Sequence, residues 1–330
     1  SEYHSSNPCC YPKYSSCVCE TMKDQKVDDD ICDCSPFWKQ MCFKCKNSTL
    51  LDVIWIGSHN SATDQLKYIY DPKSKNFLVD NPNDNRMCSF AKKLRLHKSM
   101  RQKAAVCSED QKFTVWQQLV LGVRFIDLDV AIDFENKTRT CHCLWGRELF
   151  MVLLQIKRFV ISRPDEIVLI KLSDGLINRN VVENVAKVLY EILGSLMVQV
   201  NEDNWPYKID DLISSKRRII VFSHDSFNIF RKLKPQYIHP FGPFCDGRYI
   251  STSRVEYVML FQKLRALYFD SNHLNIIHLY TQRSFKQLGL LLLNERVYDR
   301  MMRTISKLFL KKISKINGTF DKAHVFMFNH

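Results

Sequence analysis

Short apolar runs alternate with longer amphipathic stretches along most of the chain. Val53 to Ile56 is β-branched and apolar on both faces, the pattern of a strand buried in a parallel sheet. It ends at Gly57, just before Ser58-His59-Asn60-Ser61. Gly122 to Val130 is a second such run, and alternation along it puts Asp127 and Asp129 on one face; Thr140 to Gly146 follows. Phe113 to Leu121 has helical spacing in Val115, Leu119 and Val120, with Gly122 as its stop. Leu149 to Val160 is again amphipathic, and Arg163-Pro164-Asp165 breaks it ahead of a strand from Glu166 to Leu172. The cycle continues with helices from about Val181 to Leu196, near Val255 to Tyr268 and from Phe285 to Phe309, and with strands at Arg218 to Phe222, Leu274 to Tyr280 and Val325 to Phe328. Alternation of this kind is the parallel-sheet pattern. The expectation is an α/β fold, a TIM-like barrel of seven or eight strands over residues 49–330. Tyr237 to Cys245 is aromatic and Pro-rich and reads as a loop, placed at a membrane interface or packed into the core.

Residues 1–48 break the pattern. They are polar and hold eight of the 13 cysteines, so they read as a separate disulfide-stapled extension made in an oxidising compartment. A zinc site at Cys32-x-Cys34 and Cys42-x-x-Cys45 is the alternative for those residues. Three Asn-x-Ser/Thr sequons, at Asn47, Asn136 and Asn317, agree with the secretory reading. The first residue is Ser and no apolar run is long enough to span a bilayer, so a secreted or lumenal protein after signal removal is expected. Residues 64–111 form a long basic insertion for which a Cys88–Cys107 bridge is expected.

The formal net charge of +13 suits an anionic partner, although basic residues also simply solvate a surface. Nucleic-acid motifs are missing, so a lipid surface is favoured over nucleic acid. The candidate chemistry lies at the strand ends. Two histidines and two carboxylates there are the elements of a metal-assisted phosphodiester site, which needs a base on the nucleophile, an acid on the leaving alkoxide and positive charge on the non-bridging oxygens. Histidine serves the first two roles near neutrality. Lys171, on the alternating face of its strand, is a candidate phosphate contact or a barrel-lining lysine.

Ser58-His59-Asn60-Ser61, then Gln118-Leu119 leading into Gly122 to Asp129, then His142 with Gly146 behind it, resemble the X domain of phosphatidylinositol-specific phospholipases C. The resemblance runs from about Leu51 to Ser173 and, more weakly, through the strand near Phe326. It implies a distorted TIM-like barrel and cleavage of inositol phospholipids, or of glycosylated inositol anchors, at a membrane surface. It implies His59 in phosphate contact and proton donation, and His142 in the opposite proton transfer. Asn60 and Asp129 align the chain with the calcium-dependent members, which implies calcium held by Asn60, Asp127 and Asp129. Two departures stand out. Ser173, with Asp174 beside it, occupies the place of a further acid, and Cys143 replaces the glycine common after the histidine. A sphingomyelinase-D-like phospholipase and a barrel that binds lipid or protein without catalysis are the alternative readings.

Overall fold

A computed structural model of the chain describes residues 48–67, 109–173, 179–223, 236–280 and 323–329. The elements are β1 (Trp55–Ser58), α1 (Val115–Val120), β2 (Val123–Ile132), β3 (Thr138–His142), β4 (Leu144–Glu148), α2 (Leu149–Ser162), β5 (Val168–Ser173), α3 (Arg179–Leu193), α4 (Ile209–Ser214), β6 (Ile219–Ser223), β7 (Ile238–Pro240), α5 (Phe241–Phe244), β8 (Cys245–Asp246), α6 (Val255–Ala266), β9 (Leu274–His278) and β10 (Val325–Phe328). Eight strands run in the order β7-β6-β5-β2-β1-β10-β9-β8, and every neighbouring pair along that path is parallel. The sheet curls into a TIM-like barrel whose two end strands, β7 and β8, are joined by the four residues of α5. The antiparallel hairpin β3–β4 extends from the far end of β2.

Burial follows the period of two along each strand. Trp55, Phe125, Leu169, Phe222, Ile276, Val325 and Met327 belong to one cluster inside the barrel. The alternate residues Ile126, Leu128, Ile170, Leu172, Ile219 and Val221 pack outward in a second cluster with α1, α2 and α3. Helix α2 shows why it forms there: Leu149, Val152, Leu153, Ile156, Phe159 and Val160 are buried, the spacing of one helical face. Removing each such side chain from water contributes about 1.5–3 kcal/mol. Helix α1 is capped by Thr114, whose side chain accepts from Gln117 N while Gln117 answers to Thr114 N, a reciprocal capping box. Gly122 closes it at φ 102, where only glycine is unstrained.

One expectation is corrected. Tyr237 to Cys245 is not a loop: it holds β7, α5 and the start of β8, and Tyr237, Ile238, His239, Phe241, Phe244 and Cys245 are buried. Thr140 to Gly146 spans the end of β3 and the start of β4, a hairpin that turns at Cys143 with φ 60. The cysteine-rich extension up to residue 47, the Cys88–Cys107 bridge and the helix from Phe285 to Phe309 lie outside the described residues.

Candidate active site

The barrel's inward face carries the site. Along β2 the inward positions are Phe125, Asp127 and Asp129, and along β5 they are Leu169, Lys171 and Ser173, paired in register as Phe125↔Leu169, Asp127↔Lys171 and Asp129↔Ser173. The same alternation continues past the ends of β1 and β10, where Ser58 pairs with Phe328 and the next residues are His59 and Asn329. Polar groups thus replace apolar ones at the C-terminal mouth of the strands, where α/β barrels gather their reacting groups.

The loop after β1 is stitched into place. Asn60 sits at φ 47, a left-handed conformation that asparagine tolerates better than most residues. Ser61 N donates to Asp127 O at 2.8 Å, and Asp127 N donates to Ser61 Oγ at 2.9 Å. Thr63 Oγ1 accepts from Asp110 N at 3.0 Å and Gln111 N at 3.1 Å, and donates to Asn60 O at 2.8 Å. Gln111 Nε2 donates to His59 O at 2.7 Å and to Phe328 O at 3.1 Å. The hairpin bearing His142 is tied to the same loop through Thr140 Oγ1, which donates to Ala62 O at 3.2 Å.

His59 and His142 meet at the mouth with ring centroids 6.5 Å apart and planes at 75°. Both rings remain partly open, with side chains 21% and 20% exposed, so a substrate has access to them. His59 stacks on Tyr280 at 4.0 Å and 17°, and its Nδ1 is 3.0 Å from Asn329 Oδ1. Asp110 lies between the imidazoles, its Oδ2 3.5 Å from each Nδ1. Asp110 also accepts from Asn60 Nδ2 at 2.7 Å and from Asn329 Nδ2 at 3.1 Å.

A second polar group surrounds Asp127. Lys171 Nζ is 3.2 Å from Asp127 Oδ1, and Ser173 Oγ donates to the same oxygen at 2.8 Å. Burial pushes this carboxyl's pKa up, but the charges of Lys171 and His59 and the Ser173 hydrogen bond outweigh it and hold the group below its ordinary range. Behind it, His278 donates from Nε2 to Gly247 O at 2.9 Å. Burial first, then the charges of Lys171 and His59, press its pKa down to about 3, so it is a neutral part of the wall.

All six expected site residues therefore converge on one mouth: His59, Asn60, Asp127, Asp129, His142 and Lys171. Sequence reasoning missed Asp110 and Asn329. Asp110 stands in a polar stretch with no periodicity, whereas Asn329 had a usable signal as the polar residue directly after an apolar strand. The donor set fits calcium in kind, because Asn60, Asp127 and Asp129 offer only hard oxygen ligands. The fit is lean. Among the described residues no group of three or more His, Cys, Asp and Glu side chains is arranged to hold a metal ion, and Lys171 already stands on Asp127.

These observations define the class: a parallel α/β barrel with imidazoles, carboxylates and an ammonium gathered at the C-terminal ends of its strands. The family follows from comparison with known proteins. The chain belongs to the PI-PLC X family, whose model PI-PLC X 1 matches residues 76–254, more than half of the chain. That match includes Asp127, Asp129, His142 and Lys171 and begins after His59 and Asn60. Among solved structures, a phosphatidylinositol-specific phospholipase C from Staphylococcus aureus is similar at 16% identity and a TM-score of 0.53, over 86% of this chain and 87% of that one. The phosphatidylinositol-specific phospholipase C from Listeria monocytogenes is similar at 15% identity and a TM-score of 0.50, over 86% and 90%. At such identities the likeness is one of fold. No curated protein matches the chain.

Proposed function

We propose that this protein is a phosphodiesterase of the phosphatidylinositol-specific phospholipase C type, acting on inositol phospholipids or glycosylated inositol anchors at a membrane surface. The observation that carries the proposal is the facing pair His59 and His142, 6.5 Å apart across the barrel mouth. In the reaction the inositol 2-hydroxyl oxygen forms a bond to phosphorus while one imidazole takes its proton. The bond from phosphorus to the glycerol oxygen breaks, the other imidazole protonates that oxygen, and a cyclic inositol phosphate and a diacylglycerol result. Asp127, kept ionised by Lys171 and Ser173, orients the ammonium toward the mouth. Calcium, held by Asn60, Asp127 and Asp129, would supply positive charge against the non-bridging oxygens.

The same proposal takes the protein to be secreted or lumenal. Cys143 is disulfide-bonded, and Asn136 of the Asn136-Lys137-Thr138 sequon is exposed in a turn at φ 59. Its substrate would be a lipid of a membrane surface; among the described residues no helix is long and apolar enough to cross a membrane.

The test is incubation of the full chain with labelled phosphatidylinositol vesicles, with and without chelator. Cyclic inositol phosphate should appear, and His59→Ala and His142→Ala should each lose about 10²- to 10⁴-fold in rate. Absence of turnover at every calcium level, or full activity in both variants, overturns the reading. A cyclic ceramide phosphate formed from sphingomyelin would instead point to the sphingomyelinase-D-like alternative.

A further inference from the structure

Resting on the phosphodiesterase reading, we infer that Asp110 is the positioning residue that orients both imidazoles, and the two amides beside them, for proton transfer. A carboxylate only accepts hydrogen bonds, and an amide donates from one end and accepts at the other. Asp110 accepts from Asn329 Nδ2 at 3.1 Å, which turns Asn329 Oδ1 toward His59 Nδ1 at 3.0 Å. That nitrogen also lies 3.5 Å from Asp110 Oδ2. Facing two oxygens that only accept, His59 Nδ1 carries the proton, and Nε2 keeps the lone pair.

His142 is held in the same sense, because its Nδ1 lies 3.5 Å from the same Oδ2. Both rings therefore keep Nδ1–H and leave Nε2 to take up or release the proton of the reaction. Asp110 is on the Nδ1 side of each ring, so it works through the histidines and not on the phosphate. Asn60 is tied to the same carboxylate, its Nδ2 donating at 2.7 Å, which leaves the Asn60 carbonyl oxygen turned away from it. One acceptor thus sets the proton position of two rings and the orientation of two amides. The carboxylate suits this role because its side chain is only 6% exposed, so water competes little for these contacts. Its backbone is pinned through Thr63 Oγ1, which also holds the loop bearing His59.

The experiment uses the full chain with ¹⁵N-labelled histidine and the isosteric Asp110→Asn variant. NMR without substrate should find Nδ1–H on both His59 and His142 in the wild type, and a shift toward Nε2–H in the variant. On phosphatidylinositol vesicles the variant's kcat should fall about 10- to 100-fold, the usual cost of losing a residue that orients another, with KM changed less than about twofold. An Nε2–H tautomer on either ring of the wild type overturns the inference without any variant. So does an Asp110→Asn protein with unchanged tautomers, or one that raises KM at constant kcat. If the wild type cleaves no inositol lipid, the phosphodiesterase reading fails while the tautomer result still judges Asp110.

Discussion

Lys171 and Asp127 show how one residue pair sets the electrostatics of the mouth. The ammonium is 3.2 Å from Asp127 Oδ1, with side chains 13% and 2% exposed, and two opposite charges so shielded interact far more strongly than on the surface. A calcium ion bound at Asp127 would have to share that carboxylate with a positive charge. Removing the ammonium should therefore tighten the ion. In Lys171→Met, calcium affinity measured by titration calorimetry is expected to rise at least about tenfold, while turnover in chelator falls. Equal affinity in the two proteins would mean that the ion does not bind at Asp127. At this scale His59 and Asn60 were legible because they follow an apolar run that stops at Gly57, Asp127 and Asp129 because they interrupt one at alternate positions, and His142 because it completes the set that resembles the family. Asp110 was not: its importance lies in contacts with residues 50 and 219 positions away, and nothing local marks it.

Among the elements, the hairpin β3–β4 decides where His142 lies. Gly146 is packed so closely that a Cβ there would meet Thr140 Oγ1 and come within 3.0 Å of Thr140 O and 3.1 Å of Ala62 O. Two of those three neighbours are backbone and do not yield like a flexible side chain. Gly146→Ala is expected to destabilise the protein by about 1–3 kcal/mol, the cost of overpacking a tight contact, and to shift His142 against the loop bearing His59. Denaturant unfolding checks the first and the rate on phosphatidylinositol vesicles the second; unchanged values in both refute it. The elements of the sequence reading that held are the long ones with clear periodicity, such as α2 and β5. Those that failed or went unread are short or unmarked. Strands β7 and β8 are three and two residues long, and Pro240 in β7 argues locally against a strand. The turn of the hairpin is made by a cysteine at positive φ instead of the glycine or asparagine that usually marks one.

Across the molecule, stability should follow the buried histidines. His239 is fully buried, accepts at Nε2 from Tyr207 Oη at 2.8 Å, and has Nδ1 3.3 Å from Val221 O. Burial pushes its pKa from 6.5 down to about 4, against the hydrogen bond to Val221. His324 is pushed down to about 4, again chiefly by burial. Between pH 6.5 and about 4 the unfolded chain binds protons that the folded one refuses, so stability is greatest above this window and falls as pH drops through it. Each histidine contributes a slope of about 1.4 kcal/mol per pH unit inside the window. Urea unfolding at pH 7 and pH 5 should show the loss, and His239→Gln should reduce it. A loss of the same size in that variant would refute the assignment.

The order of residues alone dictates the alternation of strand and helix, and with it a parallel barrel with its polar residues at one end. Those features are periodic and local, because each strand's inward and outward faces are written in consecutive residues. What the polar residues do to one another is settled by the folded chain. Only the curl of the sheet brings β1, β2, β5 and β10 to a common mouth, puts Lys171 on Asp127 and sets Asp110 between two histidines. Such contacts depend on distances across the barrel, which no local pattern along the chain encodes.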